Sequence, residues 1–321
     1  QTDSIDPHLL PPEGFGGDIS ELMGGDAASA VPAHGMVDLL NSYALIFVVA
    51  FVVALLSTPV IRRIAIRHGV VDHPDETRKQ HRLPIAYLGG LAVFISLMAA
   101  IAVSYVVQDA VTAAYSPVPI AVVVGMIAIA FTGLADDLWG WDPWTKVAGQ
   151  LVAAAGLAIS NVGVHVAEGL LTPFMGSADE VLLVLGPLQV VNGDIFYWTG
   201  TVLIAFFVVG GCNAANLIDG LDGLLSGVTA IVAIGLLAIS LFMVGGSGAA
   251  AGVDDPNSMI GARIVLSIAL LGAVLGFLPH NFNPATIFLG DCGSLLLGYM
   301  SAVIILMLGD QGQTHLVIAG L

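Results

Sequence analysis

The sequence predicts an all-α integral membrane protein: a polytopic helical bundle with at least eight transmembrane helices and a small external hairpin. Three observations carry this. Of 321 residues, 57% are apolar and only 10% charged, where a soluble globular chain carries about 25% charged residues. Apolar runs recur at 43–61, 88–107, 118–135, 146–163, 200–216, 224–244, 260–279 and 292–309, and a bilayer-spanning helix needs roughly 20 such residues. The runs lack the ten-residue dyad alternation of an outer-membrane barrel. The same composition excludes an ordinary cytosolic enzyme. With 24 Asp+Glu against 8 Lys+Arg there is no basic face for nucleic acid. Two cysteines build neither a disulfide framework nor a cysteine-rich zinc site. The 39 glycines, many within the runs, suit helices that pack closely in lipid.

Taken in order, residues 1–40 are acidic and Gly/Pro-rich, with Asp3, Asp6, Glu13, Asp18, Glu21, Asp26 and Asp38. They are expected to form a poorly ordered external tail ahead of a transmembrane catalytic domain over 41–321, and no signal peptide is visible. After the first run come six of the eight cations, Arg62, Arg63, Arg67, Arg78, Lys79 and Arg82. The positive-inside rule makes this connection cytoplasmic. Alternation then puts the connections at 136–145, 217–223 and 280–291 on the same side, and Lys146 agrees with that placement. Arg263 stands alone near the seventh run. Trp139, Trp141 and Trp144 read as an interfacial aromatic belt. On the outer side, Gly186-Pro187 and the run Leu188 to Asp194 contain an Asn192-Gly193 step between β-prone residues, which predicts a hairpin. A ninth apolar stretch opens at Leu316 and reaches the last residue of the sequence, Leu321.

Four polar clusters interrupt this pattern, all at predicted cytoplasmic helix ends. They are Asp72 to Pro84 leading into Gly89-Gly90, then Asp136-Asp137, then Asn213 to Gly223, and finally His280 to Pro284 continuing through Phe288 to Ser294. Carboxylates beside lipid tails are costly and usually mark function. Asp136, Asp137, Asp219, Asp222 and Asp291 come from three connections yet share one side, so they would repel unless cations neutralise them. A hard divalent ion with oxygen ligands fits, since Mg²⁺ pairs one or two carboxylates with substrate phosphates. Taken singly, each cluster has a plainer reading. Asp136-Asp137 is equally a solvated turn, Asp219-Gly220 and Asp222-Gly223 are equally paired turns with glycine supplying positive φ, and the basic loop is equally a topology determinant or a binder of anionic lipid heads. Cys212 and Cys292 read as small packing residues. The conjunction of acidic and basic clusters on one surface is what points to chemistry. An ion-coupled secondary transporter is the competing class, because acidic residues in broken helices mark ion pathways.

Arg78-Lys79-Gln80-His81 through Pro84 to Gly89-Gly90, the Asp136-Asp137 pair, Asn213 to Gly223 and Phe288-Leu-Gly-Asp291-Cys-Gly-Ser294 together resemble the polyprenyl-phosphate N-acetylhexosamine-1-phosphate transferases. The resemblance implies transfer of a sugar 1-phosphate from a UDP-sugar donor to a polyprenyl (undecaprenyl) phosphate acceptor with release of UMP. It implies Mg²⁺, or Mn²⁺ in its place, an active site on the cytoplasmic face of a bacterial inner membrane, contact with membrane lipids, and room for a homodimer. The basic stretch resembles the branch using UDP-GlcNAc more than the one using UDP-MurNAc-pentapeptide. By resemblance Asp291 and Asn216 are metal ligands with Asp219 nearby, and Lys146 meets the diphosphate. Asp136 or Asp137 orients the lipid phosphate. Asp222 bonds the uracil and Phe288 stacks on it. Lys79, His81, Arg82 and Asn213 bind substrate. A direct attack by the lipid phosphate is expected rather than a covalent intermediate, because a metal-bound Asp is a poor nucleophile.

Overall fold

The computed structural model describes residues 33–72, 85–111, 118–185, 188–246 and 259–312. Nine α-helices follow one another in them: α1 (Ala33–Arg67), α2 (Gly89–Val111), α3 (Ile120–Trp139), α4 (Pro143–Ile159), α5 (His165–Met175), α6 (Asn192–Ile218), α7 (Leu224–Gly246), α8 (Ile260–Asn281) and α9 (Gly290–Leu306). A 3-10 turn, Met307–Gly312, follows α9. Two antiparallel strand pairs complete the description, β1 (Val71–Asp72) with β2 (Ile85–Ala86) and β3 (Val181–Leu185) with β4 (Leu188–Val191). This is a polytopic helical membrane protein, as the hydropathy predicts.

A helix apolar on every side belongs in the interior, and α9 is that helix. All its residues except Asp291 and Ser301 are buried. Lipid tails are as apolar as leucine, so contact between helices in a bilayer relies on close packing rather than on water exclusion. Glycines provide it here. Gly293 of α9 lies on Gly90 of α2, Gly133 of α3 lies on the backbone of Asp291 and Cys292, and Gly298 lies on Gly211 and Cys212 of α6. The same device joins α8 to α1, where Gly272 and Gly276 leave room for the backbone of Phe47 and Phe51. In α1, Pro59 has no N–H to give to the carbonyl of Leu55. The ring Nε2 of His280 takes that carbonyl instead, at 3.2 Å, tying the end of α8 to α1.

Among the described residues, seven helical segments are long and apolar enough to cross a membrane by length and composition. The remaining apolar run, 146–163, forms α4, which has 17 residues and so reaches about 26 Å at 1.5 Å per residue, near the short end for a spanning helix. Lys146 in its first turn reaches Asp291 at the start of α9, while Gly163 just past its end faces Leu306 at the end of α9. α4 therefore reaches from the level of one end of α9 to that of the other. The hairpin is present as β3–β4, but it turns between Leu185 and Leu188, which face each other, and not at Asn192-Gly193. Asn192 instead starts α6. Its buried side chain donates to the carbonyls of Met175 and Ser177 at 2.5 and 3.1 Å, and Asp194 accepts from the N–H of Val191 at 3.2 Å, a reach-back cap. With Asn192 buried and holding these two carbonyls, the Asn-Gly pair opens a helix rather than a turn. Residues 33–40, expected in the tail, already belong to α1. The rest of the tail, the basic stretch 73–84 and the ninth apolar run lie outside the described residues.

The glycine contacts set an expected outcome. Gly298→Ala places a methyl against backbone and should lower unfolding stability in detergent by about 1–3 kcal/mol. Gly156→Ala, where a methyl meets open space, should leave it unchanged or raise it by up to about 1 kcal/mol. Thermal unfolding of the two variants checks the pair.

Candidate active site

The start of α9 is buried, so the N–H groups of its first turn need acceptors that water cannot supply. Leu289 precedes it and has no polar side chain to offer. The acceptor comes from another helix. Asp137, near the end of α3, takes the N–H of Asp291 on Oδ1 at 2.8 Å and the N–H of Cys292 on Oδ2 at 3.0 Å. A carboxylate is also the right charge for the positive end of a helix. Gly290, at φ +74°, leaves the space that this carboxylate fills. Asp137 is thus an N-cap supplied from a distance, and it fixes where α9 begins relative to α3.

With that register set, Asp136 and Asp291 meet over one ammonium. Lys146 Nζ lies 2.6 Å from Asp136 Oδ2 and 2.5 Å from Asp291 Oδ2. A cation in the first turn of a helix opposes the helix dipole, so Lys146 depends on these two carboxylates to sit there. The turn itself is held by Pro143 and by Asp142, whose Oδ1 accepts the N–H of Trp144 at 2.8 Å. From α6, Asn216 donates through Nδ2 to Asp291 Oδ1 at 2.9 Å and to Ser294 Oγ at 3.0 Å. Its carbonyl oxygen is left as an acceptor among the described residues.

Asp219 caps the other end of this wall. It follows α6, and its carboxyl is pushed up to about 7, first by burial and then by the charges of Asp291 and Asp137. Among the described residues no cation or hydrogen bond meets that carboxyl. Asp222 acts on the chain rather than on the cluster. Its Oδ2 accepts the N–H of Ala285 at 2.9 Å and Asn283 Nδ2 at 3.2 Å, holding the loop before α9. Arg62 Nε holds the same loop through the carbonyl of Thr286 at 2.9 Å. Of the two Asp-Gly steps, Gly223 has positive φ, so the turn reading applies there.

The structure therefore gathers Asp136, Asp137, Lys146, Asn216, Asp219 and Asp291 at one end of the bundle. Asn213 sits a turn further along α6 and bonds Gln150 Oε1 at 2.9 Å instead. Phe288 is half-buried, edge-on to Tyr87 at 5.9 Å between ring centroids. Lys79, His81 and Arg82 lie outside the described residues. Sequence reasoning missed Tyr87, Ser294 and Gln150. Ser294 falls inside a motif already singled out, whereas an isolated Tyr or Gln carries no signal of its own.

Four carboxylates thus gather here, two of them on one ammonium, one on backbone amides and one, Asp219, on no described partner. Among the described residues no three Asp, Glu, His or Cys side chains enclose a metal by themselves. Two donors with ligand phosphates completing the shell is, however, the ordinary arrangement for Mg²⁺, and the surplus negative charge with an uncompensated Asp219 fits a divalent ion.

A model of glycosyl transferase family 4 matches residues 119–309. The chain is 34% identical over 265 residues to the decaprenyl-phosphate N-acetylglucosaminephosphotransferase of Mycolicibacterium smegmatis, covering 81% of this chain and 59% of that protein. It is 34% identical over 266 residues to the probable undecaprenyl-phosphate N-acetylglucosaminyl 1-phosphate transferase of Bacillus subtilis, covering 81% and 62%. The phospho-N-acetylmuramoyl-pentapeptide-transferase of Bacillus thuringiensis matches at 29% over 282 residues, covering 85% and 76%. The chain spans about six tenths of the length of the first two relatives.

Two outcomes follow from the site geometry. Asp137→Ala removes the cap and should cost about 1–2 kcal/mol of stability, read as a fall in unfolding temperature. For Asp219, a carboxyl held at about 7 against about 3.9 unfolded binds its proton more tightly when folded. Stability should therefore fall as pH rises through that window and level off above it. Unfolding in chelator from pH 4 to 8 checks this, and Asp219→Asn should flatten the slope.

Proposed function

Since the chain belongs to glycosyl transferase family 4, we propose that it moves N-acetylglucosamine 1-phosphate from UDP-GlcNAc to polyprenyl phosphate, releasing UMP. The observation that carries this reading is the convergence of Asp136, Lys146, Asn216, Asp219 and Asp291 at a single end of a membrane bundle. A water-soluble nucleotide sugar and a lipid-anchored phosphate meet only at a membrane face. A transporter needs its polar groups near the bilayer midplane, whereas these stand at helix ends. The 34% identity to N-acetylglucosamine relatives against 29% to the pentapeptide transferase supports the smaller sugar. The distribution of arginines and lysines supports a cytoplasmic placement of this face, and the bacterial relatives support a bacterial inner membrane.

In the reaction, an oxygen of the lipid phosphate forms a bond to the sugar-bearing phosphorus of the donor, and the bond from that phosphorus to UMP breaks. Positioning and charge neutralisation dominate such transfers. Lys146, poised between two carboxylates, presents a compact charge to the diphosphate. Asp136 orients the lipid phosphate, whose second ionisation near 6, by analogy with phosphoserine, makes a strong base unnecessary. Asp137 keeps the first turn of α9 in place, so Asp291 faces the substrate. Asp222 orders the loop carrying Phe288, and both remain the residues for the uracil. Lys79, His81 and Arg82 draw the anionic substrates in, and Asn213 supports the donor. Asp291 and Asn216, with Asp219 beside them, would hold Mg²⁺. An ion held there would supply positive charge against the diphosphate and the leaving UMP.

The chain in lipid nanodiscs, given radiolabelled UDP-GlcNAc, undecaprenyl phosphate and Mg²⁺, should transfer label into organic solvent with equimolar UMP. Chelator should abolish transfer and added Mg²⁺ restore it. Asp291→Asn should lower the rate at least a hundredfold. Solute uptake into vesicles without UMP release would overturn the assignment.

A further inference from the structure

One wall of the acidic cluster is built by a segment without an assigned role. Residues 85–90 are clamped along the chain that enters α9. Ala86 pairs in parallel with Ile287. The N–H of Phe288 donates to Ala86 O at 2.8 Å, that of Gly89 to Phe288 O at 2.9 Å and that of Gly90 to Leu289 O at 2.7 Å. The N–H of Tyr87 donates the other way, to Val70 O at 3.2 Å. Its ring meets Phe288 edge-on at 66°. Backbone and ring of Tyr87 are therefore both fixed, which leaves its phenol little rotational freedom to lose on binding a ligand.

That phenol lies within electrostatic reach of Asp72, Asp137, Asp291 and Asp219, yet among the described residues it makes no hydrogen bond. A half-buried O–H without an acceptor, beside carboxylates it does not touch, is suited to an acceptor that arrives with the ligand. We infer that Tyr87 is a further substrate-binding residue, donating a hydrogen bond to a phosphate oxygen of a bound substrate. This rests on the phosphotransfer reading above. Burial, followed by the four carboxylates, pushes the phenol up to about 12, so it keeps its proton across the working range. A neutral donor also has an advantage over a second lysine: it binds the phosphate without forming another ion pair with the acids. The phosphate belongs either to the nucleotide sugar or to the polyprenyl phosphate, and the two arms of the test tell them apart.

Wild-type turnover of UDP-GlcNAc tests the phosphotransfer reading first and separately. Tyr87→Phe keeps the ring on Phe288 and removes only the O–H. With each substrate varied in turn, its KM should rise about tenfold for one of them, as expected for a lost hydrogen bond to a charged group, with a smaller change in kcat. The substrate whose KM moves owns the phosphate. Should wild type prove inactive, binding of UMP and of undecaprenyl phosphate, read by thermal shift, judges the phenylalanine variant instead, with the same weakening expected. Unchanged KM and unchanged binding in Tyr87→Phe overturn the proposal. So does a matching unfolding-temperature loss in Tyr87→Phe and Tyr87→Leu with no effect on either ligand, which would make Tyr87 a packing residue alone.

Discussion

The interaction on which the rest of the structure depends is that of Asp137 with the amides of Asp291 and Cys292 in the first turn of α9. A helix that starts inside a membrane protein leaves its leading N–H groups without water, and each one unmet costs free energy comparable to a lost hydrogen bond. Leu289 and Gly290 cannot meet that need, so an acceptor must come from across the interface. Asp137 provides both oxygens. That requirement sets α3 and α9 in one register, which brings Asp136, one residue earlier, over the same Lys146 that Asp291 holds.

The neighbouring acids thus do unlike things. Asp137 is committed to backbone, Asp222 to the loop at 283–285, and Asp136 and Asp291 to an ammonium. Asp219 alone among them has no described partner, and its raised carboxyl records what crowding by like charge does in a half-buried place. A pocket in this condition attracts cations and tolerates neutral donors, and both belong to the chemistry of a phosphate-bearing substrate.

Glycine sets how closely these groups approach. Gly90, Gly133 and Gly211 bring three helices onto the backbone of α9, and larger residues there would widen the spacing at the site by the same distance. The fold thereby ties packing in the apolar interior to the spacing of polar atoms at its edge.

The sequence by itself determined the membrane class, the eight apolar runs and the polar clusters at helix ends, because hydropathy and charge are local quantities that a bilayer reads along the chain. It also marked the motif residues that meet at Lys146. Only the tertiary structure decided which aspartate does what, since Asp136 and Asp137 are adjacent and chemically identical, and their roles follow from which helix lies opposite. It likewise moved the hairpin turn away from Asn192-Gly193, where the buried Asn192 side chain instead donates to the carbonyls of Met175 and Ser177. It brought Tyr87 to the site through backbone pairing with residues some two hundred positions away. Pairing of that kind depends on loop closure and packing, which residue pattern does not encode.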